Sequence, residues 1–450
     1  LKPGSFFAAL GFLLTPASQA ADLLDIYRDA LTRDATFASA RAARLASLEK
    51  LPQGRALLLP AVNLSASSAW NTRDFSYEIP PPNNKVNQEF NSNGYTLSLS
   101  QPLYRRQNWA MYESGKRQAA MADTQFSAAQ QELILSVTQS YFDALLAQDN
   151  LSLAQSQKKA IQQQLEQAKA NFDVGTATIT DTHEAQARHD LAVATEIAAS
   201  NEVEVKLRAL EKIIAKRPDT LSSLLHELPL QQPEPADMNQ WVTTAEQNNL
   251  SNQLKQAAVA IAQHELERVR GGHHPTIDLV ASYSDNSQSG GALGPLGTYV
   301  ANETKTSAIG VQLNLPVFQG GATSSQIREA LANQEKSRQE LEASVRLSAL
   351  ATREAYLGVT SGIAQVKALE QALVSSQSSL DSTQLGQEVG VRTNVDVLNA
   401  QQQLFSARRD LYKARYAYLT NRLRLKAATG SLNEQDLVAI NGLLQNQGMK

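Results

Sequence analysis

The chain has 450 residues, a formal net charge of −3, 42 % apolar residues, only 6 % aromatics and no cysteine. Near neutrality, with no Lys/Arg cluster along a helix face, excludes nucleic-acid binding. The missing thiol excludes both a disulfide-stapled secreted module and a lipoprotein anchored through an N-terminal cysteine. The many Ala, Ser and Gln residues suit long, closely packed helices, where small side chains let neighbours approach.

The first residues read as a targeting segment. Lys2 is its positive end, Phe6 to Leu14 its apolar stretch and Ser18-Gln19-Ala20 its small-residue cleavage site, so residues 1–21 are expected to be a signal peptide. Beyond it no apolar run is long enough for a membrane-spanning helix. Export to the periplasm, the outer membrane or beyond is the expectation.

Four segments alternate by two residues. In the first two, Val62, Leu64 and Ala66 alternate with Asn63, Ser65 and Ser67, and Leu97, Leu99 and Leu103 with Ser98, Ser100 and Pro102. In the others, Ile277, Leu279 and Ala281 alternate with Thr276, Asp278 and Ser282, and Ile309, Val311 and Leu313 with Gly310, Gln312 and Asn314. At about 10 residues each, with one apolar and one polar face, they predict tilted membrane strands in two hairpins, about 61–104 and about 276–318. The connections 71–94 and 286–306, with Pro80-Pro81-Pro82 and Gly290-Gly291, predict long exposed loops. Four strands cannot close a membrane barrel, and lipid does not tolerate open sheet edges, so copies of the chain must share one. Two copies would give eight strands and three would give twelve; spacing leaves both open.

Each hairpin precedes a helical stretch. No proline occurs from 103 to 217 or from 317 to 450, although the chain has fifteen. Residues about 109–173 and 323–388 predict helices on the order of 100 Å long. Val174-Gly175-Thr176 and Val389-Gly390-Val391 predict turns into returning helices, with Thr180, or Thr393 and Asn394, as candidate caps. In the last of these helices Val397, Leu404, Leu411, Tyr418 and Leu425 recur every seventh residue, the seam of a coiled coil, with Arg408, Arg415 and Arg422 as a polar line. Pro218, Pro229, Pro233 and Pro235 mark residues 217–238 as a linker or belt.

The whole pattern occurs twice, about 215 residues apart. Pro60, Leu64, Tyr141, Val174, Gly175, Thr178, Asp181 and Ala185 recur as Pro275, Leu279, Tyr356, Val389, Gly390, Thr393, Asp396 and Ala400. The expected organisation is a first repeat over 22–216, the belt, a second repeat over 239–430 and a tail over 431–450. The sequence contains no phosphate-binding, nucleophile-elbow or His-Glu-x-x-His motif, and its six histidines form no ligand set, so a non-enzyme without cofactor or metal is expected.

The stretch from Val389 through Asn394 and Asp396 to Ala400, with Ala414-Arg415-Tyr416-Ala417-Tyr418-Leu419, Thr429-Gly430-Ser431-Leu432 and Val174-Gly175-Thr176-Ala177-Thr178-Ile179-Thr180-Asp181, resembles the TolC family of outer-membrane channel-tunnels. The resemblance covers nearly the whole chain. It implies an all-α dominated membrane protein: a homotrimer whose protomers each give four strands to a 12-stranded outer-membrane β-barrel, continued by an α-barrel tunnel in the periplasm. It also implies a periplasmic adaptor (membrane-fusion protein), an inner-membrane ABC transporter, an exported protein substrate and outer-membrane lipid as partners. Within the family the expectation is the type I protein-secretion branch, protease secretion in particular. Multidrug efflux is the second choice, and a periplasmic coiled-coil spacer the alternative of another class.

The resemblance also assigns residues. Two acidic positions after the second tip turn face the channel axis; Asp396 matches the first, while the second is Asn399. Arg392 and Thr180 match one latch pair at the closed tip. Asp181 matches the acid of another latch, whose tyrosine position holds Gln387. The turns at Val174, Gly175 and Thr176 and at Val389, Gly390 and Val391 are the expected adaptor contacts.

Overall fold

The computed structural model describes residues 20–76, 85–218, 220–293 and 298–445. The targeting segment through Gln19, the Pro80-Pro81-Pro82 stretch, Gly294, Gly297 and the last residues of the tail lie outside the described residues.

Helices α1 (Leu23–Arg33), α2 (Ala35–Leu48) and α3 (Lys50–Ala56) lead into strands β1 (Ala61–Ser76) and β2 (Lys85–Tyr104). The long helix α4 (Arg106–Asp173) and its return α5 (Ile179–Ile214) follow, then the short strand β3 (Ser223–Leu224). The second half comprises α6 (Met238–Asn248), α7 (Leu250–Arg270), β4 (Thr276–Leu293), β5 (Tyr299–Asn314), α8 (Ala322–Glu388) and α9 (Asn394–Ala428). The chain closes with α10 (Glu434–Asn441) and β6 (Leu444–Gln445). It divides into two compact units: Leu1–Arg41, Phe126–Ser251 and Val345–Lys450 form one, and Ala42–Gln125 and Asn252–Ser344 the other.

The second unit holds one antiparallel sheet in the order β1-β2-β4-β5. Its strands are 16, 20, 18 and 16 residues long, so most of 71–94 and 286–306 is strand, not loop. The ladder runs to Ser76↔Lys85 because backbone pairing needs no apolar side chain; Asn, Ser and Thr continue the alternation beyond the apolar stretch. The register lines up one apolar face. Val62, Leu99, Ala281 and Ile309 form one cross-strand row, and Leu64, Leu97 and Tyr283 the next. The other face carries rows such as Ser65, Thr96, Ser284 and Thr306. Tyr95 and Tyr283, with ring centroids 6.2 Å apart, border the apolar band at one end, and Tyr104 lies at the other. Where β2 gives way to α4, Arg105 donates to Asp278 through Nε (2.7 Å) and Nη2 (2.6 Å), so the buried carboxylate is paired in the strong two-pronged geometry.

The first unit is helical. The seam is real: Val397, Leu404, Leu411, Tyr418 and Leu425 are all buried. Arg415, expected on a polar line, is buried instead and donates to Glu370 Oε1 at 2.7 Å, because its turn of α9 faces α8 rather than solvent. The core centres on Tyr141, Phe142, Tyr416 and Leu419, with the Phe142 and Tyr416 rings 5.4 Å apart. Buried phenols need partners. The Tyr141 hydroxyl donates to the Ser222 carbonyl at 2.9 Å, and its repeat counterpart Tyr356 donates to the Ala236 carbonyl, so each long helix anchors irregular backbone through the same tyrosine. The ends of the unit interlock. Asn441 donates to Asp22 at 2.8 Å, and β3 pairs with β6.

Candidate functional site

The two turns joining the long helices to their returns are built alike. Gly175 lies at φ +77° and Gly390 at φ +81°, and nothing lies within 4 Å of where a Cβ would stand. Space does not demand glycine there; the left-handed backbone does. Each turn folds back on its helix end: the Thr176 N–H donates to Asn171 O at 2.8 Å and the Val391 N–H to Gly386 O at 2.9 Å. The flanking valines project outward, with Val174 73 %, Val389 67 % and Val391 75 % exposed. Thr176 is also accessible, its hydroxyl donating to Asn171 O at 3.0 Å.

Both returning helices start with a capping box. Thr178 Oγ1 accepts from the Asp181 N–H at 3.2 Å, and the Asp181 carboxylate accepts from the Thr178 N–H at 3.0 Å. Thr393 and Asp396 repeat this at 3.2 and 2.9 Å. Thr178, not Thr180, is therefore the first cap, because an N-cap oxygen must reach the N–H three residues on, and Thr180 already lies inside α5. Hydrogen bonds from the Thr393 backbone N–H and hydroxyl, helped by the nearby Arg392 charge, hold the Asp396 carboxyl below its ordinary value against a smaller opposing effect of desolvation. The ionised form of Asp396 is thus favoured, with one oxygen turned back over its own helix start.

The expected latch residues are not joined to one another within one chain. Asp181 bonds to Thr178, and Gln387 Nε2 reaches Asn394 Oδ1 at 3.5 Å. Arg392 lies against Gly386, where its Cγ stands 2.7 Å from an ideal Cβ position. Among the described residues no hydrogen bond links Arg392 to Thr180 or Gln387 to Asp181.

Asn399 is engaged by a residue that sequence reasoning passed over. Arg188 of α5 donates through Nη2 to Asn399 Oδ1 at 2.9 Å and to Glu184 Oε1 at 3.1 Å, and through Nη1 to Gln402 Oε1 at 3.2 Å. The Glu184/Arg188 spacing of four is visible in the sequence, whereas the partners on α9 are not. Beneath this link Ile161, Leu165 and Ala168 of α4, Ala185 and Ala192 of α5 and Leu398 of α9 share one apolar cluster. Leu380 of α8 packs with Val397 and Leu404 in another. A polar bridge thus sits on a packed crossing of helices.

The Outer membrane efflux protein family model matches residues 26–216 and 241–431. Outer membrane protein TolC of Escherichia coli is 34 % identical over 95 % of this chain and 86 % of its own length. Alkaline protease secretion protein AprF of Pseudomonas aeruginosa is 34 % identical over 96 % of this chain and 89 % of its own. The crystal structure of the Campylobacter jejuni CmeC outer membrane channel superposes with a TM-score of 0.77 at 17 % identity, covering 99 % of this chain and 98 % of that one.

Proposed function

Because the chain belongs to the outer membrane efflux protein family, a family of passive outer-membrane channels rather than enzymes, we propose that it is the export duct of a tripartite type I secretion system, with secreted protease as cargo. The helices supply the α-barrel tunnel and the four strands one share of the β-barrel. The observation that carries the assembly is the sheet itself: an apolar band in register across four strands, with β1 and β5 at its two edges. A barrel shared by three copies gives both edges partners and closes the pore.

The narrow end is read at the two turns. The exposed valines around Gly175 and Gly390 offer a periplasmic adaptor small apolar knobs on rigid turns, and the adaptor in turn holds an inner-membrane ABC transporter against the duct. Asp396 and Asn399 line the constriction. Thr180, Asp181, Gln387 and Arg392 latch it between neighbouring helix pairs. The repeats over 22–216 and 239–430, with the belt 217–238 between them, give each protomer its two strand hairpins and two helical hairpins.

Protease cargo is supported by the AprF relative, whose name states protease secretion. Drug efflux is the second reading, supported by the family's own description. Deleting this gene alone and assaying secreted protease and drug sensitivity tests the choice. Lost secretion with unchanged drug tolerance is the expected result, and the reverse pattern overturns protease cargo in favour of efflux. Cross-linking of an engineered cysteine near position 175, at the exposed Val174 beside the turn glycine, to the adaptor tests the docking assignment.

A further inference from the structure

We propose that Arg188 sets the ion preference and the closure of the narrow end: its guanidinium occupies the neighbourhood of Asn399 and binds the first helical hairpin to the second within one chain. This rests on reading Asp396 and Asn399 as the constriction.

The geometry has three parts. Arg188 bridges helices, since Glu184 belongs to its own α5 whereas Asn399 and Gln402 belong to α9. The bridge joins equivalent positions of the two repeats: Glu184 and Asn399 stand at matching places in α5 and α9, and one Nη2 donates to both. Arg188 has no such twin, because the matching place in α9 holds Gln403. One cation therefore serves both copies of a duplicated position.

The electrostatic consequence follows from what an ion meets there. At the first ring position it meets the ionised Asp396. At the second it meets a neutral amide with a guanidinium 2.9 Å behind it, itself balanced by Glu184. Symmetry copies around a pore multiply this local charge, so Arg188 weakens the cation preference that Asp396 creates. The mechanical consequence is separate. Parting α5 from α9 must break donors directed to two acceptors on α9, so the hairpins resist opening until those donors find other partners.

The test is single-channel recording of the purified full chain in planar bilayers under a KCl gradient. Arg188→Gln is expected to raise conductance and to raise the cation/anion permeability ratio by about twofold, since Glu184 loses its counter-charge. Arg188→Lys keeps the charge but not the fork, so conductance should rise while the permeability ratio stays at the parent value. A ratio in Arg188→Lys equal to that of Arg188→Gln would overturn the proposal, as would a conductance rise in Arg188→Gln with an unmoved ratio, which is what loosened packing alone gives. Asn399→Asp supplies a second measurement independent of removing Arg188. The new carboxylate faces the guanidinium, so the ratio should move less than when the same change is made together with Arg188→Gln; equal shifts in both backgrounds would refute the pairing. Silence of the Arg188 variants while Asp396→Asn lowers the ratio would remove Arg188 and leave the constriction standing. Silence of Asp396→Asn as well would remove the constriction itself.

Discussion

Tyr416→Phe deletes one oxygen from the helical core and leaves Asp149 without its phenol. The ring itself stays: Tyr416 is buried against Phe142, and the substitution opens no sizeable cavity. What is lost is the hydrogen bond from Tyr416 Oη to Asp149 Oδ2 at 2.7 Å. Burial raises the Asp149 carboxyl above its ordinary value, and the Tyr416 hydrogen bond partly offsets this. A hydrogen bond to a charged group contributes about 1.5–3 kcal/mol, which is the expected destabilisation at neutral pH. Because the folded-state value is raised, the folded chain binds a proton more readily than the unfolded one, and stability falls as pH rises between the two values. Losing the phenol raises the folded value further. The cost of Tyr416→Phe is therefore greatest at neutral pH and shrinks as pH falls through the variant's own titration. Guanidinium unfolding of the detergent-solubilised protein, followed by far-UV circular dichroism at neutral pH and near the ordinary carboxylate range, measures both quantities. A cost below about 0.5 kcal/mol, or one that does not change with pH, would refute the reasoning.

Asp396→Asn should lower cation preference in planar bilayers. Because hydrogen bonds hold that carboxyl below its ordinary value, the wild-type preference should fade at a lower pH than an unperturbed carboxylate would give; loss at a pH above the ordinary carboxylate value would contradict the capping geometry. Arg392→Ser should raise single-channel conductance if this exposed side chain latches a neighbouring helix pair, and unchanged conductance would remove it from the latch. On the sheet, Ile309→Arg places a charge in the apolar band at an expected cost of about 2–4 kcal/mol, whereas Ala308→Arg on the opposite face should be tolerated. Equal yields of assembled protein in the outer membrane would show that the faces are assigned wrongly.

Periodicity made part of this molecule legible and contact chemistry hid the rest. The seam from Val397 to Leu425 announces itself because a large apolar or aromatic residue returns every seventh position, and burial follows that period. Strand length does not announce itself. Asn71, Asn91 and Ser92 read as loop residues but pair in the ladder, where Asn71 Nδ2 also donates to Ser92 Oγ at 2.8 Å. Arg415 sits in step with Arg408 and Arg422, yet only the position of Glu370 on a neighbouring helix explains why it is buried. Arg188 and Asn399 lie 211 residues apart, and a pairing at that separation leaves no trace in the spacing of either helix. The turns lie between these cases: Gly175 and Gly390 mark where the chain reverses, while the outward aim of their valines depends on the fold.

The two unmatched margins of the sheet make each newly exported chain wait for others. Ring closure is then a many-body event whose yield falls steeply when copies are scarce. It also makes faulty copies dominant. A chain with proline in β5 could still offer β1 to one neighbour while refusing the next. Expressed in equal amount with the intact chain, it would leave only about one eighth of three-membered rings free of a defective copy.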